Sequence, residues 1–402
     1  MHIPGKRIYD EMRSEDGGVW FAPANEGKEN AILVKAPTAT LKALLSGSSF
    51  TVVLGREGDY LCTGVRIYDV PEAPLLLCSV QKHQEEHAAL RRIVREGGTP
   101  LFLFNELDIC VAWSDVTLTP KNSVALSDLL EREGRPYCGP LNPAASSALD
   151  SFCFTIDESQ HFPHANKIPV LEVPVVVAQW VSNKISFAGV HDHHTITLED
   201  LDEGAVLEKA VWASLESVFP LTLQKSPQVK VGDKLRELTD VLAFHRYGTF
   251  LIEAKDLSVL HAGTERSRER RVKGTQKQAK TAVEQLVGAS KALKRGERVS
   301  DQHGQTLTPV LDQPLHCIVL LTELTHEGDW SKLETQLRQA MIETGDFFHV
   351  LDLRELITLL KTSSGKPELL DYNLIQRCKR FADSRTIHIR SRPAPRNKMG
   401  SE

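Results

Sequence analysis

Short apolar runs separated by turn residues dominate the first third of the chain. Ala31–Val34, Phe50–Leu54, Tyr60–Tyr68, Leu75–Val80, Pro100–Phe104 and Ile109–Trp113 read as strands. One amphipathic segment, Glu85–Glu96, interrupts them and stops at Gly97-Gly98, where glycine takes the left-handed turn that closes a helix. The pattern predicts an α+β domain over residues 1–120, opening with a polar, turn-rich lead over residues 1–30 that is expected to be loosely ordered. From 121 to 200 Pro, Asn and polar clusters surround one strand-like run, Val170–Trp180, which predicts a connector with sheet edges.

From residue 202 the period changes. Gly204–Phe219 has helical spacing, with acidic residues at its start, where the helix dipole favours them. Two strands follow, Leu235–Phe244 and Thr249–Asp256, then a basic loop and a helix over Thr275–Arg295. Leu315–Thr322 is dominated by apolar residues, as expected of a strand covered on both faces. A helix over Trp330–Glu343, a strand over Phe347–Leu351 and terminal helices complete the chain. Residues 201–375 are thus expected to form an α/β domain, a mixed sheet flanked by helices. Residues 376–402 form a basic tail (Arg377, Lys379, Arg380, Arg385, Arg390, Arg392, Arg396, Lys398) expected to fray at its end.

Composition narrows the function classes. The net charge of -5 over 402 residues gives no global pull on nucleic acid, so such a surface must be a local patch. No stretch has the length and apolarity of a membrane span, and the N-terminus lacks a signal-peptide core. The seven cysteines are scattered and contain no C-x-x-C pair, which argues against a disulfide framework and points to a reducing cytoplasm. Neither G-x-x-x-x-G-K-[ST] nor G-x-G-x-x-G occurs, so no nucleotide-hydrolysing engine is expected.

The chemistry concentrates in Glu237–Phe244, His245–Gly248 and Thr249–Lys255. If His245–Gly248 makes the turn, Phe244 faces Thr249, Leu242 faces Leu251 and Asp240 faces Glu253. Opposed side chains share one face, with Cβ atoms roughly 5 Å apart. Lys255, two residues beyond Glu253, shares it too. Two like charges inside an apolar hairpin repel and are costly to desolvate. A hard divalent cation neutralises them; Mg²⁺ accepts one or two carboxylates plus waters, and Mn²⁺ is a substitute. Lys255 then stands ready for a water or a phosphate oxygen. The competing reading is an ion-paired hairpin in which Lys255 only balances a carboxylate.

The segment resembles the PD-(D/E)XK nuclease superfamily, which includes restriction endonucleases and Mrr-like and RecB-like nucleases. The resemblance covers roughly residues 202–322. It implies a core of order α-β-β-β-α-β and Mg²⁺-dependent hydrolysis of phosphodiester bonds, in DNA before RNA. Asp240 matches the motif's Asp, Glu253 its acidic residue and Lys255 its Lys; Thr239 replaces the Pro. A helical Glu matches Glu208, with Glu216 two turns on, and a polar residue of the following helix matches Gln278 or Gln285. The metal set so implied is Asp240, Glu253 and Glu208. Expected partners are DNA, other subunits of a defence or repair complex, or a second copy of the chain. A nuclease-like module that binds without cutting is the alternative.

Arg266, Arg268, Arg270, Arg271, Lys273, Lys277 and Lys280 lie beside the E-x-K strand. Such a run can hold phosphates by charge, or it can be a solvated loop with Glu265 and Glu269 as internal partners. No aromatics interleave, so base stacking is not indicated. Two further patterns compete. His83-Gln-Glu-Glu86-His87 fits the inverted zinc-peptidase motif, without an identifiable third ligand. His191-Asp-His-His194 is a metal candidate or a solvated turn.

Overall fold

In a computed structural model the chain divides into two compact units, Met1–Ile185 with Thr197–Glu199, and Ser186–Ile196 with Asp200–Glu402. The structure describes residues 4–70, 72–131, 135–157, 164–188, 193–197, 203–232, 234–255, 268–322 and 324–391. It is a mixed α/β protein with several sheets flanked by helices. Among the described residues no helix is long and apolar enough to cross a membrane.

The first unit contains α1 (Lys6–Ser14), β1 (Gly18–Ala24), β2 (Glu29–Lys35), α2 (Thr38–Leu45), β3 (Phe50–Glu57), β4 (Tyr60–Ile67), β5 (Leu75–Gln81), α3 (Gln84–Glu96), β6 (Gly98–Phe104) and β7 (Cys110–Thr117). Then come α4 (Pro120–Leu130), α5 (Pro143–Ile156), β8 (Val170–Pro174), β9 (Val176–Val177) and β10 (Val181–Ser182). One sheet runs β1-β2-β6-β7-β10 with β9 beside β7; the other runs β5-β4-β3-β8. Strand alternation fixes the layers. Val19 and Phe21 of β1 meet Val52 and Leu54 of β3 in a central core. Trp20 and Ala22 point the other way, against Ile8 and Met12 of α1. Val53 and Cys62 point away from the centre, against Ala145, Ala148 and Phe152 of α5. Gly55 makes this approach possible, because a Cβ there would stand 2.6 Å from the Phe152 ring.

Two expectations for this half are corrected. Residues 4–30 are an anchored helix and strand rather than a loose lead. With two buried apolar residues in α1, nine residues were too few to show a period. Within the stretch expected as a connector, Pro120–Leu130 and Pro143–Ile156 are helices of the first unit. Each starts with a side-chain cap and proline at its beginning: Thr119 accepts from Asn122 N, and Asn142 from Ala145 N.

A separate ribbon pairs β11 (Ile185–Ala188) with β12 (His193–Ile196). The second unit continues with α6 (Glu203–Glu216), β13 (Gln224–Lys225), β14 (Gln228–Val231), β15 (Lys234–Glu237), β16 (Val241–His245), β17 (Gly248–Lys255), α7 (Arg268–Lys294) and β18 (Val299–Ser300). It ends with β19 (His316–Leu321), α8 (Ser331–Thr344), β20 (Phe347–Asp352), α9 (Leu353–Ser363) and α10 (Pro367–Ser384). Its main sheet runs β13-β16-β17-β19-β20; β16 and β17 are antiparallel, and β17, β19 and β20 are parallel. Leu242, Leu251, Cys317, Val319 and Phe348 on one face pack with Ala279, Val283 and Leu286 of α7 and Leu333 and Leu337 of α8. On the other face Phe250 meets Phe219, and His316 meets Asp371 of α10.

Three boundaries here differ from the sequence reading. The strand expected over Leu235–Phe244 is two strands in different sheets, β15 beside β14 and β16 beside β17; the chain breaks pairing at Leu238–Asp240, where Leu238 N donates to Pro227 O and Ser226 N to Asp240 O. The helix expected from Thr275 begins at Arg268, because its first turn is charged and has no apolar stripe to announce it. The basic tail is anchored through residue 391: buried Arg377 donates to Glu355 Oε1 (2.7 Å) and Val350 O (3.1 Å), and Arg390 pairs with Asp352.

Candidate functional site

The hairpin places the candidate site. His245 pairs with Gly248, leaving a two-residue turn, and Phe244 faces Thr249, Leu242 faces Leu251 and Val241 faces Ile252. The ladder ends at that pair, and Asp240, just before β16, reaches β17 through its carboxylate, which accepts from Ala254 N. The buried Thr239 hydroxyl donates to Ile252 O (2.8 Å), holding the entry to β16 in line. Leu242 and Leu251 enter the core on the α7 side, so Asp240, Glu253 and Lys255, at even spacing from them, share that side.

Ala254 N donates to Asp240 Oδ2 at 2.8 Å, and Lys255 Nζ lies 2.8 Å from Glu253 Oε2. Glu253 is 3% exposed and stands beside Val319 of β19. Asp240 is half-buried. Burial, and after it the neighbouring Glu253 charge, push its carboxyl up to about 6; Lys255 and the Ala254 N–H pull the other way. The pair is therefore short of positive charge even with Lys255 in place. An all-oxygen donor set of two carboxylates with that deficit fits a hard divalent cation that keeps water or phosphate for its remaining positions.

The other expected site residues fare differently. Glu208 lies in α6, with its side chain outside the described residues. Glu216 ends α6 half-buried, and Phe219 just beyond packs on Phe250, on the face opposite Leu251. Gln278 and Gln285 are exposed. The stripe α7 turns inward is Val272, Thr275, Ala279, Ala282, Val283 and Leu286, and Gln278 sits roughly a quarter-turn off it. Gln278 thus stands at the flank of that stripe. The inward polar residue of that turn is Thr275, which no motif singles out. Arg266 lies outside the described residues. Arg268, Arg270 and Arg271 form the first turn of α7, their side chains outside the described residues, and Lys273 and Lys277 are exposed along the same helix. From Arg268 on, the basic run is helical rather than a loop.

The zinc-peptidase pattern does not assemble. His83 is extended (φ -123°) ahead of α3, so it is not on the helix that carries His87. His87 Nε2 faces the Tyr137 carbonyl at 3.1 Å, and burial lowers its pKa. His83 and Glu86 instead gather with Glu11, donor atoms within 4.8 Å of one another. Arg7 reaches Glu86 (2.7 Å) and Glu11 (3.0 Å), and Lys82 reaches Glu11 (3.7 Å), so cations of the chain already neutralise this cluster. Of the second histidine pattern, His191 and Asp192 lie outside the described residues, as do the side chains of His193 and His194 in β12.

Sequence reading missed a buried network on the opposite face. His316 Nε2 lies 2.6 Å from Asp371 Oδ1, and its Nδ1 lies 3.1 Å from His349 Nε2. Full burial, then His316 and Arg377, hold His349 well below the usual histidine range. These residues come from β19, β20 and α10, and no local spacing connects them.

No family model, no curated protein and no solved structure matches the chain, so its chemistry rests on the geometry of its own residues.

Proposed function

We propose that the second unit is a metal-dependent nuclease domain that hydrolyses phosphodiester bonds, with DNA as the preferred substrate. The carrying observation is that Asp240, Glu253 and Lys255 gather at the open end of a single hairpin, close enough for their charges to act on one another. The element order supports a restriction-endonuclease-like reading: α6, then β13, β16 and β17, then α7 and the parallel β19. With β14, β15 and β18 set apart in their own sheet, that order is compatible with the α-β-β-β-α-β core the PD-(D/E)XK resemblance implies.

Asp240 and Glu253 would hold Mg²⁺ or Mn²⁺, which supplies Lewis acidity and charge for the scissile phosphate. Lys255 Nζ, freed from Glu253 as cation charge arrives, would donate a hydrogen bond to the attacking water or to a phosphate oxygen and offset the charge that develops there. Lys273 and Lys277 on α7 would hold flanking phosphates by charge. Glu208 stands as the candidate third carboxylate from α6. Restriction, anti-phage defence or repair in the cytoplasm, alone or with partner subunits, would use such an activity.

A second reading, a nuclease-shaped DNA-binding or assembly module that does not cut, draws support from the Lys255–Glu253 ion pair, which balances one carboxylate without metal. Incubating the purified chain with duplex DNA, single-stranded DNA and RNA, with Mg²⁺ or Mn²⁺ and with EDTA, separates the two. The nuclease reading expects EDTA-sensitive products; binding without products under every metal condition assigns the module.

A further inference from the structure

On the sheet face opposite Leu251, three elements set one carboxylate between two histidines. His316 of β19 and His245 at the end of β16 both turn Nε2 toward Asp371 of α10. His316 Nε2 lies 2.6 Å from Asp371 Oδ1. A carboxylate oxygen accepts, so the imidazole donates there. That bond orients the carboxylate and leaves Oδ2 facing His245 Nε2 at 3.8 Å, too far for a hydrogen bond. His245 is only 9% exposed, and neither of its ring nitrogens has a hydrogen-bond partner among the described residues. A buried polar atom left bare is costly. Phe219 and Phe250 pack around the ring, while Gly248, paired with His245 across the turn, leaves room beside Nε2. A Cβ at Gly248 would stand 3.0 Å from His245 Nε2 and 3.7 Å from Asp371 Oδ2.

We propose that His245 Nε2 and Asp371 Oδ2 hold a zinc ion, with Glu368 as third ligand and water as the fourth, and that the ion ties α10 to the β16–β17 turn. Tetrahedral Zn²⁺ takes imidazole nitrogen and carboxylate oxygen at about 2.0–2.2 Å, which sets two ligand atoms about 3.3–3.5 Å apart. The 3.8 Å between Nε2 and Oδ2 is close to that span, so a small turn of either side chain admits the ion. The imidazole selects zinc over Mg²⁺ or Ca²⁺, which take oxygen ligands. Glu368 lies one turn before Asp371 on α10, a spacing that puts both on one helix face. It is exposed, so its side chain can turn to the ion. His316 acts as a positioning residue: it orients the ligating carboxylate, and His349, 3.1 Å from His316 Nδ1, orients His316 in turn. The site lies across the sheet from Asp240 and Glu253, so it stands or falls independently of the nuclease reading.

The test strips the full, untagged chain of metal with a chelator, titrates it with Zn²⁺ and counts bound metal by mass spectrometry, beside melting curves. Wild type and Asp240→Asn should both keep a zinc equivalent that His245→Gln and Asp371→Asn each lose, and zinc should raise the melting temperature of the first two alone. Asp240→Asn is included because the nuclease site also offers oxygen ligands to Zn²⁺. Co²⁺ in place of Zn²⁺ should give the visible absorption of a tetrahedral site in wild type, absent from His245→Gln. His316→Gln should weaken zinc binding by about tenfold or more. Gly248→Ala keeps every ligand and should weaken it by about tenfold, because the added methyl crowds Nε2. A wild type that takes up no zinc, or folded His245→Gln and Asp371→Asn variants that retain it, overturns the proposal. Circular dichroism shows whether the variants fold; should both ligand variants fail to, a Gly248→Ala chain that binds zinc as tightly as wild type overturns it.

Discussion

Asp240 carries the most information of any single residue. Its carboxyl is raised from 3.8 to about 6 in the metal-free chain. A raised carboxylate stabilises the fold below its unfolded pKa, and that stability is lost as pH rises through the folded value. The metal-free unit should therefore lose about 1–2 kcal/mol between pH 4 and pH 7, with allowance for the partial exposure of Asp240. Asp240→Asn keeps an acceptor for Ala254 N and removes the charge. Its melting temperature should match the wild type at pH 4 and exceed it at pH 7.5 without metal. A variant less stable than wild type at pH 7.5 contradicts the like-charge account. Lys255→Ala acts in the opposite sense. Without metal it strands the buried Glu253 carboxylate and should cost about 1–3 kcal/mol. Added Mg²⁺ should restore most of that loss, while a purely ion-paired hairpin gains nothing from metal. Melting curves with and without Mg²⁺ decide between them.

At the scale of elements, legibility followed the range of the determining contacts. The β16–β17 register could be read in advance because a short turn and strict alternation leave one pairing that buries Leu242 and Leu251 together. The split between β15 and β16 could not, since Leu235 through Leu242 reads as one run and the break is made by bonds to Pro227 and Ser226. The start of α7 was hidden in charged residues whose helicity comes from the turns that follow. Its exposed lysines give a direct test. Lys273→Ala with Lys277→Ala should weaken DNA binding and reduce the salt slope by about two, one for each lost phosphate contact; an unchanged slope in binding titrations over graded salt would assign them to plain solvation. The His316–His349–Asp371 network, spread over three elements, has its own signature. His349 binds no proton in the fold but does when unfolded, so stability is complete above about pH 6.5 and falls below it, by up to about 1.4 kcal/mol per pH unit. His349→Gln should flatten that acid limb in denaturant titrations, and an acid limb of undiminished slope contradicts the assignment.

For the whole molecule, the sequence led to an α+β domain, a connector over residues 121–200 and an α/β domain from 201, and the two compact units divide between residues 185 and 200. Proline and polar clusters over residues 121–156 looked like a linker, yet Asn142 and Thr119 cap helices that complete the first unit. The basic end looked free, yet Arg377 and Arg390 tie it to Glu355 and Asp352. In both places composition described the surface while caps and ion pairs decided the structure. The histidine network was hidden for a related reason: residues far apart in sequence are brought together by sheet and helix packing. The site hairpin escaped this because its three principal residues lie within 16 positions, Asp240 to Lys255.

The central claim is that these three residues form a cleaving site. The most direct measurement is conversion of supercoiled plasmid to nicked or linear forms by wild type, Asp240→Asn and Lys255→Ala, each in Mg²⁺ and in EDTA. The account predicts cleavage by the wild type in Mg²⁺ alone, and at least a hundredfold loss in both folded variants. A folded wild type that leaves the plasmid intact with metal present, or an Asp240→Asn variant that cuts at the wild-type rate, contradicts it.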